Sequence, residues 1–311
     1  MSMENRSTER RNNVLLYGGA VLAVAALVWI GWVVPRSVEG ESGARLSSAQ
    51  AYLSMAAGIP TRDADGNRLA ETTDQRKKLA WKAREENLGK ALDLLDQVEE
   101  QDPGMAITRE MRGYACWLRE DAAGTLRWYR EALVTEDHGP DLAHRVRLHI
   151  ARIELLGQRV DAAFQALAEV AEEDRGTEWW VVKAQAHHAR QEGHQRSQAL
   201  NEALQRAGNE DSSIRLVAAA AFEMSDAMAV TAYEALQDKS AADWYLVARL
   251  KMEGGQADRA HNALRKARDL DAAYTARLIR KDGRTWQKDP VAQELSHTEG
   301  GRRTAAERPA K

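Results

Sequence analysis

From about Thr72 onward the apolar residues of this chain follow a helical period, and the pattern itself recurs. Ala91, Leu95 and Val98 precede Pro103; Thr125, Tyr129 and Ala132 repeat the arrangement, with Leu95 to Tyr129 and Val98 to Ala132 each 34 residues apart. Small residues at 91, 125, 163, 199, 229 and 260 continue the series in steps of 34, 38, 36, 30 and 31, each marking the second helix of a pair. A lone helical pair of this size cannot bury its apolar face, so such pairs stack on one another. The recurrence predicts an all-α fold of about six units over residues 72–271. Composition agrees: 2 Phe against 9 Trp, 6 Pro and 29% charged residues suit helices far better than a β-sandwich.

The residues at these spacings resemble the tetratricopeptide repeat family. Gly113 followed by AGTLRWYREAL (123–133) is similar to that family's small contact residue and its second helix, with Thr125 in place of the usual alanine. The unit ADWYLVARLKMEGGQADRAHNALRKARDLD (242–271) matches better, with Trp244, Val247, Ala248, Gly255, Ala260, Leu264 and Ala267 all at family spacing. Small Ala248 and Ala260 let two antiparallel helices approach closely. The middle units depart from the pattern, because no aromatic matches near Ala199 and the unit around Ala229 is short. The resemblance implies a right-handed helical solenoid whose first helices line a groove for protein segments. Carried over residue by residue, it brings Glu110, Tyr114 and Trp117 to the groove, then Leu148 and Arg152, and in the last unit Tyr245, Arg249 and Met252. The Lys/Asn/Arg set that clamps a peptide carboxyl terminus in some members is not recoverable, so that specificity is not implied.

Val14 to Val34 contains 21 residues without a charged side chain, which at about 1.5 Å per residue crosses roughly 30 Å of hydrocarbon once. Tyr17, Trp29 and Trp32 lie near its ends, where aromatic belts form. Three arginines precede it, so residues 1–13 are expected in the cytoplasm and the bulk of the chain outside. The core is longer than a signal peptide's and ends in Trp-Val-Val-Pro, which favours an uncleaved anchor. Residues 35–71 read as a linker with one short helix near Ala44 to Met55. Asp63, Asp65 and Asn67 look like a calcium loop, but the glycine falls between the second and third candidate ligands, and a polar turn is the better reading. Residues 272–295 read as capping helices, and 296–311 as a disordered tail.

Lys+Arg 44 against Asp+Glu 47 gives −3, and leaving out the first 34 residues gives 41 against 45, a balance that argues against nucleic acid as a partner. The single Cys116 can form neither an internal disulfide nor a cysteine-rich zinc site, and its position suggests a packed thiol. GxSxG, GxxxxGK[ST] and HExxH are absent from the sequence. Gly254-Gly255-Gln256 reads as a turn between helices. His187 and His194 stand two turns apart, roughly 10 Å, too far for one metal ion. Trp179 and Trp180 are about 100° apart on a helix, so the two rings cannot face one core. No catalytic residue, cofactor or metal is expected. The reading is a single-pass protein of bacterial inner-membrane type, with a periplasmic scaffold or adaptor domain serving an envelope assembly, chaperone or secretion complex. Its partners are proteins or peptide segments and, through residues 14–34, the bilayer. The alternatives are a cytoplasm-facing regulatory adaptor and an enzyme subunit.

Overall fold

The computed structural model describes residues 40–62, 68–71, 73–286 and 289–296. The apolar stretch 14–34 and the tail before it, the run 63–67 and the segment 297–311 lie outside the described residues. Among the described residues no helix is long and apolar enough to cross a membrane. They fall into two compact units, divided after Asp174.

The first unit contains three antiparallel helix pairs: α1 (Glu41–Ala57) with α2 (Gln75–Gln101), α3 (Ala106–Leu118) with α4 (Ala122–Leu133), and α5 (Pro140–Leu156) with α6 (Val160–Ala168). The helix expected near Ala44 to Met55 is present as α1, but it belongs to the first pair and not to a linker. Leu46, Ala49, Leu53 and Ala56 of α1 are buried against Leu88, Ala91, Leu95 and Val98 of α2 and against Met111, Tyr114, Ala115 and Leu118 of α3. Among the described residues the array therefore begins at Glu41 and not near residue 72. Small Ser42, Gly43, Ala49 and Ala56 are among the buried residues of α1, which lets neighbouring helices approach closely. Ala91 also sits in the middle of α2 rather than at its start.

The second unit contains α7 (Thr177–Ala189) with α8 (Gly193–Ala207), α9 (Asp211–Glu223) with α10 (Met228–Ala235), and α11 (Ala241–Glu253) with α12 (Ala257–Leu270). Then come α13 (Ala272–Lys281), the single turn α14 (Gly283–Trp286) and a last helical stretch, 290–296. Ile279, Trp286, Ala292 and Leu295 join the core of this unit, so the chain after Asp271 covers the last pair.

Local chemistry sets the helix boundaries. Asp74 accepts from the amides of Arg76 and Lys77, Asp121 from Gly124 and Asp271 from Tyr274, and Ser240 with Asp243 forms a reciprocal capping box. The turns inside five of the pairs share one geometry. Glu120, Gln158, Gln191, Ser225 and Gly255 each adopt positive φ, between 53° and 73°. The amide after each returns to the carbonyl five residues back, at 2.8–3.0 Å: Asp121 to Cys116, Arg159 to Glu154, Glu192 to His187, Asp226 to Ala221 and Gln256 to Lys251. This is the six-to-one bond that closes a helix around a left-handed residue. The small positions Ala91, Thr125, Ala163, Ala199, Ala229 and Ala260 are all 0–2% exposed.

Candidate functional site

The eight residues assigned to a groove separate into buried and accessible groups. In the first unit, Glu110 and Arg145 form a two-bond ion pair (Nε to Oε1 3.1 Å, Nη2 to Oε2 2.8 Å) joining α3 to α5, with the arginine side chain 5% exposed. Tyr114 lies in the core between α2 and α3, and burial pushes its hydroxyl up to about 12. Leu148 and Arg152 are also buried. Of these five, Glu110 and Trp117 remain partly exposed. In the second unit Tyr245 is buried as well. Its hydroxyl lies 3.1 Å from the Leu278 carbonyl and 3.2 Å from Asp282 Oδ2, and accepts from Trp286 Nε1 at 3.1 Å. Burial and then the Asp282 carboxylate hold that hydroxyl well above the usual tyrosine range.

This corrects the groove assignment for five residues: Tyr114, Leu148, Arg152 and Tyr245 are buried, and Glu110 is held by Arg145. The family spacing fixes a residue's angle on its own helix. It does not say that Arg145, Leu278, Asp282 and Trp286 arrive from later elements to cover it.

Arg249 and Met252, one turn apart on α11, stay partly exposed. The Arg249 guanidinium stands 5.2 Å above the Phe222 ring, and its Nε lies 2.9 Å from Glu253 Oε1 and 3.2 Å from Asp282 Oδ2. Burial works against its charge, but the bond to Glu253 and the Asp282 carboxylate outweigh it and raise its pKa. Two carboxylates already balance this arginine, so it is poorly placed to receive a third from a partner. Beside it Glu223, partly buried at the end of α9, has no hydrogen bond or ion pair among the described residues, and burial raises its pKa. Phe222 and Glu223 were not picked out by sequence reasoning. The available signal was that Phe222 is one of only two phenylalanines, at the end of a first helix.

The remaining candidates resolve simply. His187 Nδ1 lies 2.6 Å from Glu192, and His188 Nδ1 lies 3.3 Å from Arg196 Nη1; burial and then Arg196 lower the His188 pKa. No group of three metal-ligating side chains occurs among the described residues. Trp179 is buried and Trp180 partly exposed, their rings edge to face at 4.8 Å. Cys116 is partly exposed, and burial followed by Asp121 pushes its thiol up, which makes it a poor nucleophile.

Among the described residues, each unit is a set of helical hairpins, with Trp117 partly exposed on a first helix of one and Arg249 and Met252 on a first helix of the other. No family model matches the chain, and no curated protein matches it. Several solved structures are similar, among them these three. PilF of Pseudomonas aeruginosa has 15% identity, with 82% of this chain and 99% of that one covered and a TM-score of 0.47. A tetratricopeptide repeat protein of Parabacteroides merdae has 14% identity, 80% and 91% coverage and a TM-score of 0.43. The Cut9–Hcn1 hetero-tetramer of the APC/C has 13% identity, 88% and 58% coverage and a TM-score of 0.44.

Proposed function

We propose that this chain is a membrane-anchored scaffold or adaptor that binds protein segments on the first helices of its hairpins and serves an envelope assembly, chaperone or secretion complex from the periplasmic side. The observation that carries the reading is the accessible surface of Phe222, Arg249 and Met252, where an aromatic ring, a flexible thioether and stacked charge lie together. Trp117 offers a second ring in the first unit. The anchor rests on the 21 apolar residues from Val14 to Val34 and the three arginines before them.

A photo-crosslinking residue placed at Phe222, Met252 or Trp117 in intact membranes should trap a partner, and one at Arg127, on a second helix, should not. Equal trapping from Arg127 would move the binding face elsewhere. Alkaline carbonate should leave the full chain in the membrane pellet, and alkaline phosphatase fused after Leu295 should be active. An inactive fusion would place the domain in the cytoplasm.

A further inference from the structure

Helix α2 is charged against its own dipole. Its first ten residues carry Arg76, Lys77, Lys78, Lys82 and Arg84 and no acid, whereas residues 85–102 carry Glu85, Glu86, Asp93, Asp96, Glu99, Glu100 and Asp102 with only Lys90 in opposition. The amino-terminal end of a helix is already partly positive and the carboxyl-terminal end partly negative, so both groups stand where the helix tolerates them least. Local rules broken in this way point to a use outside the fold.

The basic part is also the part that projects. Ser42 Oγ lies 3.3 Å from Gln101 Oε1 and bonds Asp102 as well, which fixes the start of α1 beside the end of α2. With 17 residues against 27, α1 falls short of the start of α2, and although the short turn Leu69–Glu71 packs on α2, none of residues 75–83 is buried. Leu79 is 64% exposed, the Lys82 side chain is 73% exposed, and Arg76 and Lys78 are exposed with them. Two acids stand near these cations: Asp74, whose carboxylate caps the helix at the Arg76 and Lys77 amides, and Glu86, 3.7 Å from Lys82. Beneath them Arg84 is 2% exposed. It donates from Nη2 to the Leu118 carbonyl, while Nε and Nη1 have no hydrogen-bond partner among the described residues. The half-exposed Trp81 ring stands 5.6 Å from it. One fully charged guanidinium with most of its donors idle thus backs a surface of three exposed cations around a leucine.

We propose that the projecting end of α2, residues 76–84, is a docking site for an acidic segment of a partner protein, with Arg76, Lys78 and Lys82 pairing its carboxylates and Leu79 meeting an apolar side chain. This rests on the adaptor reading and names the chemistry of one partner. The helix also decides between a protein and the bilayer. An anchored chain rises from the membrane at the start of α1, beside the acidic end of α2, and residues 35–39 reach at most about 18 Å. Anionic lipid repels that acidic end, while the basic end lies about 40 Å along the helix from it.

The test uses the full chain in neutral detergent, titrated by fluorescence anisotropy with a labelled 16-residue peptide of Glu and Asp around two Leu, and with the same peptide carrying Gln and Asn. The acidic peptide should bind and the neutral one should not, and raised salt should weaken binding. Lys78→Glu/Lys82→Glu should weaken binding by about tenfold or more, and Leu79→Ser by about threefold, with melting temperatures unchanged. Arg206→Glu/Arg259→Glu, the same charge change in the second unit, should shift affinity less than about twofold. Equal binding by the Lys78/Lys82 variant overturns the proposal. So does flotation of the Lys78/Lys82-intact chain with phosphatidylglycerol vesicles, beyond the flotation of the double variant, in a protein that ignores the peptide, since the occupant is then lipid. Either failure leaves crosslinking and carbonate extraction free to uphold the adaptor reading.

Discussion

Two hairpins, one in each unit, solve the same packing problem with opposite residues. In the first unit Gly113 of α3 faces Tyr129 of α4; a methyl group at 113 would come within 2.4 Å of the ring. In the second unit Ala248 of α11 stands at the same sequence separation from Leu264 of α12, and both are fully buried. A large ring demands glycine opposite it, and a smaller leucine leaves space for the methyl of alanine. Volume is distributed differently across the two pairs, and that makes the two hairpins unequal in sensitivity.

The largest expected effect follows from that difference. Gly113→Ala should cost about 2–3 kcal/mol, because Tyr129 is 2% exposed, stacked on His149 at 5.7 Å, and cannot swing aside. Adding Tyr129→Leu should recover most of that loss, a coupling measurable by denaturant titration of the double-mutant cycle. If the double variant is as unstable as the sum of the singles, the two residues are not one packing unit. In the second unit Ala248→Gly should cost only about 1 kcal/mol, the helix penalty of glycine with a small void.

Smaller again are the turns. Gln158→Gly and Gln191→Gly should each stabilise by roughly 0.5–1 kcal/mol, since φ near 60° strains any side chain but glycine, and Gly255→Gln should do the reverse. Equal and opposite changes in the two units would show that the turn is the same device in both. The smallest effect concerns Glu223. Its folded pKa is raised by burial, so the folded state holds the proton more tightly than the unfolded chain. Stability is complete below the unfolded value and falls as pH rises through the folded one. Glu223→Gln should therefore raise the melting temperature slightly at pH 7 and leave it unchanged near pH 3.5; a gain that persists at low pH would mean that ionisation is not its cause.

Much of the array was legible. The six small positions are buried because close helix approach selects Ala or Thr whatever lies around them. What escaped depends on partners distant in sequence. Tyr245 looks like a groove residue until Trp286 and Asp282 arrive from the end of the chain. Arg84, within the helix that begins the recurrence, shows its unfilled donors only once Leu118 is seen beside it. The α1 segment has its apolar residues hidden among serines and glycines, so its periodicity is faint although Leu46, Ala49 and Ala56 are fully buried.

The shared left-handed turn has a bearing on biosynthesis. A hairpin closed by a six-to-one bond needs only the two helices that have just been made, so five of the six pairs can form on local contacts as soon as the second helix leaves the ribosome, without waiting for the end of the chain. The uneven steps of 30 to 38 residues are taken up in helix length, from 8 residues in α10 to 17 in α5, as well as in the connections between hairpins. The pair α1–α2 is different: its strands of helix are joined through residues 58–74, a longer connection than any of the shared turns, so its closure is the slower event and depends most on the sequence between them.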